Sequence, residues 1–161
     1  MGEPHVVSLR ATRDTDLDTL FLIGHDPVAV RSTRPAPPGT DDRATVEARW
    51  RVLMADPAID LRTVRADGEI VGSVARWYEQ GAPEVVTWID RAHRGHGIAT
   101  RAMRIFLEVL DERPVRAHAT SDDAGSVRVL EHLGFEPVGT EGSSAGPAGG
   151  TDVEELLYLL R

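Results

Sequence analysis

The spacing of hydrophobic and polar residues predicts a chain in which strands alternate with helices. A strand is predicted at residues 5–12, HVVSLRAT. A helix follows it, because Leu17, Leu20 and Phe21 share one helical face and the early acids suit the positive end of the helix dipole. A second helix is predicted from Val46, since hydrophobic residues recur 4, 7 and 8 positions after it.

The middle of the chain predicts a hairpin and two further strands. Strand-like runs at residues 59–65 and 69–79 flank the turn sequence Ala-Asp-Gly at residues 66–68, which favours a hairpin. Two more strands are predicted at residues 84–89, EVVTWI, and at residues 115–120, VRAHAT.

The last part of the chain predicts one helix and two strands. The helix extends from Asp123 to Leu133 and is ended by Gly134, the residue best able to take a left-handed cap. The strands follow at residues 134–140, GFEPVGT, and at residues 152–161, DVEELLYLLR.

Two segments are predicted to be loops. Residues 25–40 contain four prolines and show no usable period. Residues 141–150, EGSSAGPAGG, have the composition of a mobile loop. Neither segment predicts a linker to a second domain, and the sequence contains no internal repeat.

The composition of the chain excludes or disfavours several classes of protein and of site. The chain is 41% hydrophobic, which suits one domain over residues 1–161 with its own core. It has no cysteine, so disulfides, thiolate metal sites and a cysteine nucleophile are excluded. Its net charge of -8 disfavours binding to nucleic acid. Because it also lacks a long apolar run and the order of a secretory signal, we expect a cytoplasmic protein with no membrane segment.

One stretch departs from the acidic balance. Between residues 91 and 104 there is no acid, and four arginines occur, at Arg91, Arg94, Arg101 and Arg104. The stretch follows the strand EVVTWI and leads into a predicted helix that begins at Gly97. Its sheet-facing residues are predicted to be Ile98, Ala102, Ile105 and Val109. A glycine-containing turn before a helix N-terminus binds anions, because the first-turn N–H groups have no intrahelical partner. The sequence therefore predicts a phosphate here.

Two familiar phosphate loops do not match this stretch. A Walker loop needs Gly-Lys-Ser or Gly-Lys-Thr, whereas Ile98 and Ala99 follow Gly97. A dinucleotide fingerprint needs three glycines in a wider pattern near the first strand. The remaining pattern is Arg94-x-x-Gly97-x-Ala99. An ordinary turn from strand to helix is the alternative interpretation.

The stretch TWIDRAHRGHGIATRAMRIFL resembles the acyl-CoA pyrophosphate loop of the GNAT superfamily of N-acetyltransferases. The family motif is Arg or Gln, two residues, Gly, one residue, and Gly or Ala. VVSLRATRDTDLDTL is similar to the family's first strand and helix, DGEIVGSV to its central hairpin and GSVRVLEHLGFEPVGT to its second cofactor motif. The resemblance implies an α/β fold of the GNAT (acyl-CoA N-acyltransferase) kind, a mixed and mainly antiparallel sheet of about seven strands with helices on both faces.

Within the superfamily, the chain most resembles the RimJ/RimL-like subgroup, which acetylates the N-termini of ribosomal proteins. The strand-final WID, the serine at Ser126 and the closing ELLYLLR carry this likeness. Two positions depart from the subgroup's pattern. Asp123 replaces an asparagine, so an amide donor to the pantetheine becomes a carboxylate that only accepts. Arg101 replaces a common glutamate, which predicts a reversed charge beside the cleft.

The resemblance implies that acetyl-CoA, as co-substrate, lies in a cleft between the strands EVVTWI and VRAHAT. Its pantetheine is expected to pair with the backbone around Trp88 and Ile89, and Asp123 and Ser126 complete the expected contacts. Its pyrophosphate is expected to accept backbone N–H groups, with the Arg94 side chain as countercharge. The loop residues concerned are Arg94, Gly95, His96, Gly97, Ile98 and Ala99. No metal is implied, because His93 and His96 have no third ligand nearby.

The resemblance also implies that an amine attacks the thioester directly. The amine must first lose a proton, because an ammonium has no lone pair. Glu84 is the candidate base, directly or through water, because it begins the strand beside the cofactor. Many relatives protonate the leaving thiolate with a tyrosine, but its position here is Leu130, so Ser126 is the candidate hydroxyl. The alternatives are a solvated strand end for Glu84 and helix capping for Asp123 and Ser126.

We therefore expect an acetyl-CoA-dependent N-acetyltransferase that acetylates a primary amine, on a small molecule or at a protein N-terminus. The alternative is a non-catalytic acyl-CoA-binding or dimerisation module on the same fold, which the residues at Leu130 and Asp123 favour. The expected partner is an acyl-CoA. The sequence does not identify the amine acceptor, and it leaves open whether the chain forms a homodimer. Nucleic acid and membranes are not expected as partners.

Overall fold

Strands and helices alternate along the chain in the order that the hydrophobic pattern predicts. The computed structural model describes residues 2–23, 42–144 and 153–161. The strands are β1 (Val7–Ala11), β2 (Asp60–Ala66), β3 (Glu69–Glu79), β4 (Ala82–Ile89), β5 (Val115–Thr120), β6 (Glu136–Ser144) and β7 (Val153–Leu160). The α-helices in these ranges are α1 (Leu17–Leu22), α2 (Arg43–Ala55), α3 (Ile98–Glu108) and α4 (Ala124–His132).

The seven strands form one sheet in the order β1-β2-β3-β4-β5-β7-β6. Neighbouring strands are antiparallel except β4 and β5, which are parallel. The predicted hairpin is confirmed, with Asp67 and Gly68 at φ of 47° and 87° in the turn between β2 and β3. The sheet is therefore the mixed, mainly antiparallel one that the resemblance implies.

Helices cover both faces of the sheet, so the sheet is the middle layer of three. On one face α3 and α4 pack through buried side chains such as Met103, Phe106 and Leu130. On the other face α1 and α2 pack through Leu20 and Trp50, among others. Both faces of the central strands are thus apolar, apart from the polar groups described below.

Three local predictions need correction or fall outside the structure. The helix α3 ends at Glu108, so Val109 lies beyond it and is 61% exposed, while Met103 and Phe106 are buried instead. The loop predicted at residues 141–150 begins too early, because β6 continues to Ser144. The rest of that loop and the Pro-rich residues 25–40 lie outside the described residues.

A glycine fixes the close approach of β3 and β4 at the end of β4. Gly72 is paired with Ile89, and a Cβ atom at residue 72 would lie 1.9 Å from the carbonyl oxygen of Trp88. No side chain fits there. Just beyond, the Asp90 N–H donates to the carbonyl oxygen of Val71 at 2.7 Å. The backbone that leaves β4 is therefore held at a fixed distance from β3.

A buried carboxylate joins α1 to the sheet. Asp16 is 2% exposed and accepts from Arg10 at 2.5 and 2.7 Å, from the Arg13 N–H at 2.8 Å and from the Thr63 hydroxyl at 2.9 Å. Burial by itself raises the pKa of Asp16, but these hydrogen bonds and the Arg10 charge outweigh it, so the pKa is lowered. The charged form of Asp16 thus stabilises the folded state.

Asp16→Asn is expected to destabilise the protein by about 3 kcal/mol at pH 7, because it breaks a buried ion pair. Since the folded-state pKa of Asp16 lies below its unfolded value, its contribution is present above the unfolded pKa, near 4, and is lost as pH falls through the folded pKa. Urea unfolding measures the difference in unfolding free energy between wild type and Asp16→Asn, and we expect this difference to be smaller at pH 3 than at pH 7. The control Asp14→Asn, whose side chain is 69% exposed, should leave the midpoint nearly unchanged. A pH-independent difference would contradict this account.

Candidate active site

The parallel strands β4 and β5 separate almost as soon as they pair. Their one registered pair is Glu84 with Arg116, although both strands lie wholly within the described residues. Beyond this pair, β4 continues for five residues to Ile89, while β5 continues to Thr120 and pairs with β7 on its other side. The two strands therefore open a gap in the middle of the sheet, at their C-terminal ends.

The loop after β4 brings a helix N-terminus to this gap. A short 3₁₀ turn at Arg91–His93 is followed by Gly95 and Gly97, whose φ values are 82° and 74°. Such backbone favours glycine, and both positions have open space where a Cβ atom would stand. Gly97 is the N-cap of α3, and within the described residues no side chain caps it. The first-turn N–H groups of α3 are therefore available to an anion.

Arg94 lies beside this helix N-terminus and is held by the end of β4. Its Nε–H donates to the carbonyl oxygen of Ile89 at 2.9 Å, and its guanidinium carbon lies 5.9 Å from the centre of the Trp88 ring. Among the described residues its Nη groups have no hydrogen-bond partner. The residues predicted to contact the cofactor, from Trp88 to Ala99, are therefore consecutive parts of one strand end, one loop and one helix start.

Arg101 does not face this loop, which corrects the expectation of a reversed charge beside the cleft. Its guanidinium donates to the carbonyl oxygens of Pro4 and His5 at 2.6 and 3.0 Å. Asp67 holds the same segment by accepting from the N–H groups of His5 and Val6. Those hydrogen bonds, that of Val6 above all, lower the pKa of Asp67. Arg101 thus fastens the first residues of the chain to α3.

Glu84 is not a solvated strand end. It is the third residue of β4, is 4% exposed and contacts Nδ1 of His118 through Oε1. His118 lies on β5, two residues after Arg116, the register partner of Glu84. Glu84 and His118 thus bridge β4 and β5 at the point where these strands separate. They face the side of the sheet that α1 and α2 cover, because Trp77, opposite Glu84 on β3, packs in that core.

His118 is the residue that the sequence analysis missed. Its strand alternates buried small or branched residues with larger polar ones, and Arg116, His118 and Thr120 share a face. One signal for it was available in the sequence: it is a histidine on the polar face of the strand next to the predicted cofactor strand. Which carboxylate it meets depends on the register of a parallel pair, and the sequence pattern does not specify that register.

The helix N-terminus on the other side of the gap is closed by its own cap. Asp123 accepts from the Ser126 N–H at 3.1 Å and from the Ser126 hydroxyl at 2.6 Å. Both residues therefore have the capping geometry that the alternative interpretation predicts. The hydroxyl of Ser126 is committed to Asp123 in this arrangement. Leu130, one turn further on, is buried in the core.

Two other features of the structure lie outside this gap. His93 contacts Asp90 at 3.1 Å, and no three metal-ligating side chains converge among the residues that the structure describes. A cavity of about 300 Å³ lies at the other end of α3 from Gly97. Of the polar side chains that line it, Arg62 donates to Asp60 at 3.0 Å. This cavity is separate from the gap between β4 and β5.

No α-helix in the described ranges combines the length and the hydropathy that crossing a membrane requires.

Strands that separate beside an uncapped helix N-terminus and an arginine have the chemistry to bind an extended ligand that carries phosphates. A comparison with known protein families shows which family of proteins this chain belongs to. Residues 7–136 match the acetyltransferase (GNAT) domain family. Because the match covers most of the chain, the protein belongs to the GNAT acetyltransferases, and the fold predicted from the sequence is confirmed. No curated relative matches the sequence significantly.

Solved acetyltransferases share this fold. RimL, a ribosomal alpha-N-protein acetyltransferase in complex with coenzyme A, has a TM-score of 0.74 at 15% identity, over 97% of this chain and 94% of that one. RimJ of Mycobacterium smegmatis, in complex with CoA-disulfide, has a TM-score of 0.70 at 20% identity, over 96% and 81%. The dodecameric spermidine N-acetyltransferase of Vibrio cholerae has a TM-score of 0.69 at 18% identity, over 94% and 92%. At these identities the likeness shows the fold.

The cap of α4 gives a direct test of the local geometry. Asp123→Ala removes the acceptor for the Ser126 N–H and is expected to destabilise the protein by about 0.5–2 kcal/mol. Ser126→Ala keeps that hydrogen bond and introduces a good helix former, so we expect a change below about 1 kcal/mol. Urea unfolding measures both. A Ser126→Ala variant that loses more stability than Asp123→Ala would show that the cap is wrongly assigned.

Proposed function

We propose that the protein is an N-acetyltransferase that uses acetyl-CoA to acetylate a primary amine. The observation that carries the proposal is the gap between β4 and β5, which leads on one side to the uncapped N-terminus of α3 and Arg94. Family membership supports it, as do the coenzyme A complexes of RimL and RimJ. We propose further that residues 1–161 act as one domain, in the cytoplasm.

The residues around the gap fit coenzyme A by their chemistry. The pyrophosphate needs N–H donors and a positive charge, which the first turn of α3 and the Nη groups of Arg94 provide. The glycines at 95 and 97 add no side chain, so the phosphates can approach the backbone. The end of β4, at Trp88 and Ile89, lies along the gap without β5 as a pairing partner and can bind the pantetheine in its place.

Acetyl-CoA supplies the thioester that the amine attacks. We assign the removal of the amine's proton to Glu84, whose carboxylate lies at the start of the gap. The donor to the leaving thiolate is assigned to Ser126, whose helix follows β5. Ser126 reaches the thiolate only after its hydroxyl rotates away from Asp123, because the observed hydrogen bond of 2.6 Å uses its proton.

Two features bear on which amine is acetylated and whether the protein is catalytic. The RimJ/RimL-like subgroup, suggested by the sequence and by two of the structural neighbours, favours a protein N-terminus, whereas the Vibrio cholerae neighbour acts on spermidine. The alternative of a non-catalytic acyl-CoA-binding module rests on Leu130, which is buried where many relatives have a tyrosine. A buried carboxylate at the start of the gap, as Glu84 is, supports the enzyme.

Release of free thiol from acetyl-CoA tests the proposal. The wild-type chain is assayed with spermidine, a small primary amine and peptides with free N-termini, and coenzyme A binding is measured by calorimetry. Thiol release with any of these acceptors supports the enzyme. Tight binding without turnover supports the non-catalytic module, and the absence of binding would overturn both.

Arg94→Ala is expected to weaken coenzyme A binding by about 1.5–3 kcal/mol, since it removes charge-assisted hydrogen bonds to phosphate. This corresponds to about a 10- to 150-fold change in Kd by calorimetry. Arg91→Ala is the matched control, because Arg91 is an exposed arginine of the same loop that lies outside the predicted contacts. Equal affinities for Arg94→Ala and wild type would exclude Arg94 from the phosphate site.

Ser126→Ala is expected to lower the maximal rate by about 10²-fold or more if its hydroxyl protonates the thiolate. Acetyl-CoA affinity should change little, because that donation occurs only as the C–S bond breaks. The measurement is the rate of thiol release at saturating acceptor. Undiminished turnover would remove Ser126 from the mechanism and leave water as the proton source.

A further inference from the structure

The cavity at the far end of α3 lies between the sheet and the loop that follows the helix. Residues of β2 and β3 line it together with the end of α3 and the loop residues 109–112. Its volume is about 300 Å³. Small-molecule sites in proteins have volumes of about 300–1,000 Å³, so this cavity can hold one molecule of small size.

Arg76 is a cation of this cavity that has no carboxylate partner. Asp60 is its register partner on β2, but Asp60 accepts from Arg62 at 3.0 and 3.1 Å. Arg76 itself donates to the carbonyl oxygen of Ala58 at 3.3 Å, and its guanidinium carbon lies 4.7 Å from the centre of the Tyr78 ring. Both of these partners are neutral. Among the described residues, Arg76 is therefore a partly buried charge without an ion pair.

Asp111 is a carboxylate of the same cavity that has no cation as partner. It is exposed, and its side chain forms neither a hydrogen bond nor a salt bridge within the part of the chain that the structure describes. Its neighbour Glu112 accepts from the Tyr78 hydroxyl at 2.6 Å. Arg76 and Asp111 line one cavity but lie further apart than the 4.0 Å of a salt bridge. The cavity thus keeps two opposite charges separated.

The other residues that line the cavity are apolar. They are Phe106 at the end of α3 and Val109 and Leu110 of the loop. Val109 is 61% exposed, so its side chain is in contact with water. A ligand with an apolar group gains free energy when it removes such surface from water. Apolar walls with a few polar groups are the usual composition of a small-molecule site.

We propose that this cavity binds an α-amino acid with an apolar side chain. The carboxylate of the ligand accepts from N–H groups of Arg76, its ammonium pairs with Asp111, and its side chain packs against Val109. A zwitterion satisfies both unpaired charges. An anion alone would face the carboxylates of the loop, and a cation alone would face Arg76. The proposal concerns binding and does not depend on the proposed acetyl transfer.

The amino-acid site is distinct from the proposed site for acetyl-CoA. The phosphates are placed at the N-terminus of α3, whereas the cavity lies at its C-terminal end. Because α3 has 11 residues, its two ends are separated by about 16 Å. An amino acid bound in the cavity therefore leaves the N–H groups at Gly97 accessible to phosphate.

Amide NMR titration of the wild-type protein with L-leucine tests the site. We expect saturable shifts at low millimolar leucine, largest at residues 60–62, 76 and 109–112. Three analogues each lack one group of the ligand: leucinamide has no carboxylate, 4-methylpentanoate has no ammonium, and glycine has no apolar side chain. Each analogue is expected to bind at least about 10-fold more weakly than leucine. The proposal is overturned if leucine causes no shifts at the cavity, or if leucinamide or 4-methylpentanoate binds as tightly as leucine.

Two variants test the two charges separately. Arg76→Gln and Asp111→Asn are each expected to weaken leucine binding at least about 10-fold, because each leaves one charge of the ligand without its partner. The matched controls are Arg65→Gln, on β2, and Asp122→Asn, in an exposed loop, because neither residue lines the cavity.

The controls should bind leucine as wild type does, and urea unfolding of each variant checks that the fold is kept. Arg76→Lys retains a positive charge and is expected to recover part of the affinity that Arg76→Gln loses. Leucine affinity equal to wild type in a folded Arg76→Gln or Asp111→Asn protein would contradict the assigned contacts. An equal loss of affinity in the control variants would do the same.

Discussion

The early end of the pairing between β4 and β5 is the constraint on which the site depends. Strand backbones carry N–H and C=O groups that need partners, and a parallel pair normally supplies them to both strands. Here pairing stops after Glu84 and Arg116, although β4 continues to Ile89. Gly72 holds that part of β4 against β3, so it cannot move across to close the gap. Among the described residues, the fold therefore keeps a gap between β4 and β5 in the middle of the sheet.

The polar groups of the site divide into those already satisfied and those that are not. At α4 the N-terminus is capped by Asp123, and Asp123 also accepts from the Ser126 hydroxyl. At α3 the N-cap is Gly97, which has no side chain, and Arg94 contributes charge beside it. An anion is therefore favoured at α3 over α4. Inside the sheet, the buried Glu84 has His118 as its partner at the start of the gap.

The sequence predicts the fold well, because the signals for it are local. The hydrophobic period, the turn at Asp67 and the glycines before α3 each depend on neighbouring residues, and the start of α3 was predicted to within one residue. What the sequence did not predict depends on pairing between distant segments. His118 meets Glu84 across 34 positions of sequence, and Arg101 reaches Pro4 across 97. No pattern along the chain records such contacts. The sequence therefore left a solvated strand end open as the alternative for Glu84, and it predicted Arg101 beside the cleft.

The most direct test of the central claim is an amide NMR titration of the protein with coenzyme A. If the ligand occupies the gap, the largest shifts will occur at the N–H groups of residues 97–100 and at the end of β4, at Trp88 and Ile89. Amides around the cavity at the far end of α3, near Arg62, will change little. Shifts centred on that cavity, or no shifts at coenzyme A concentrations that saturate related acetyltransferases, would contradict the account.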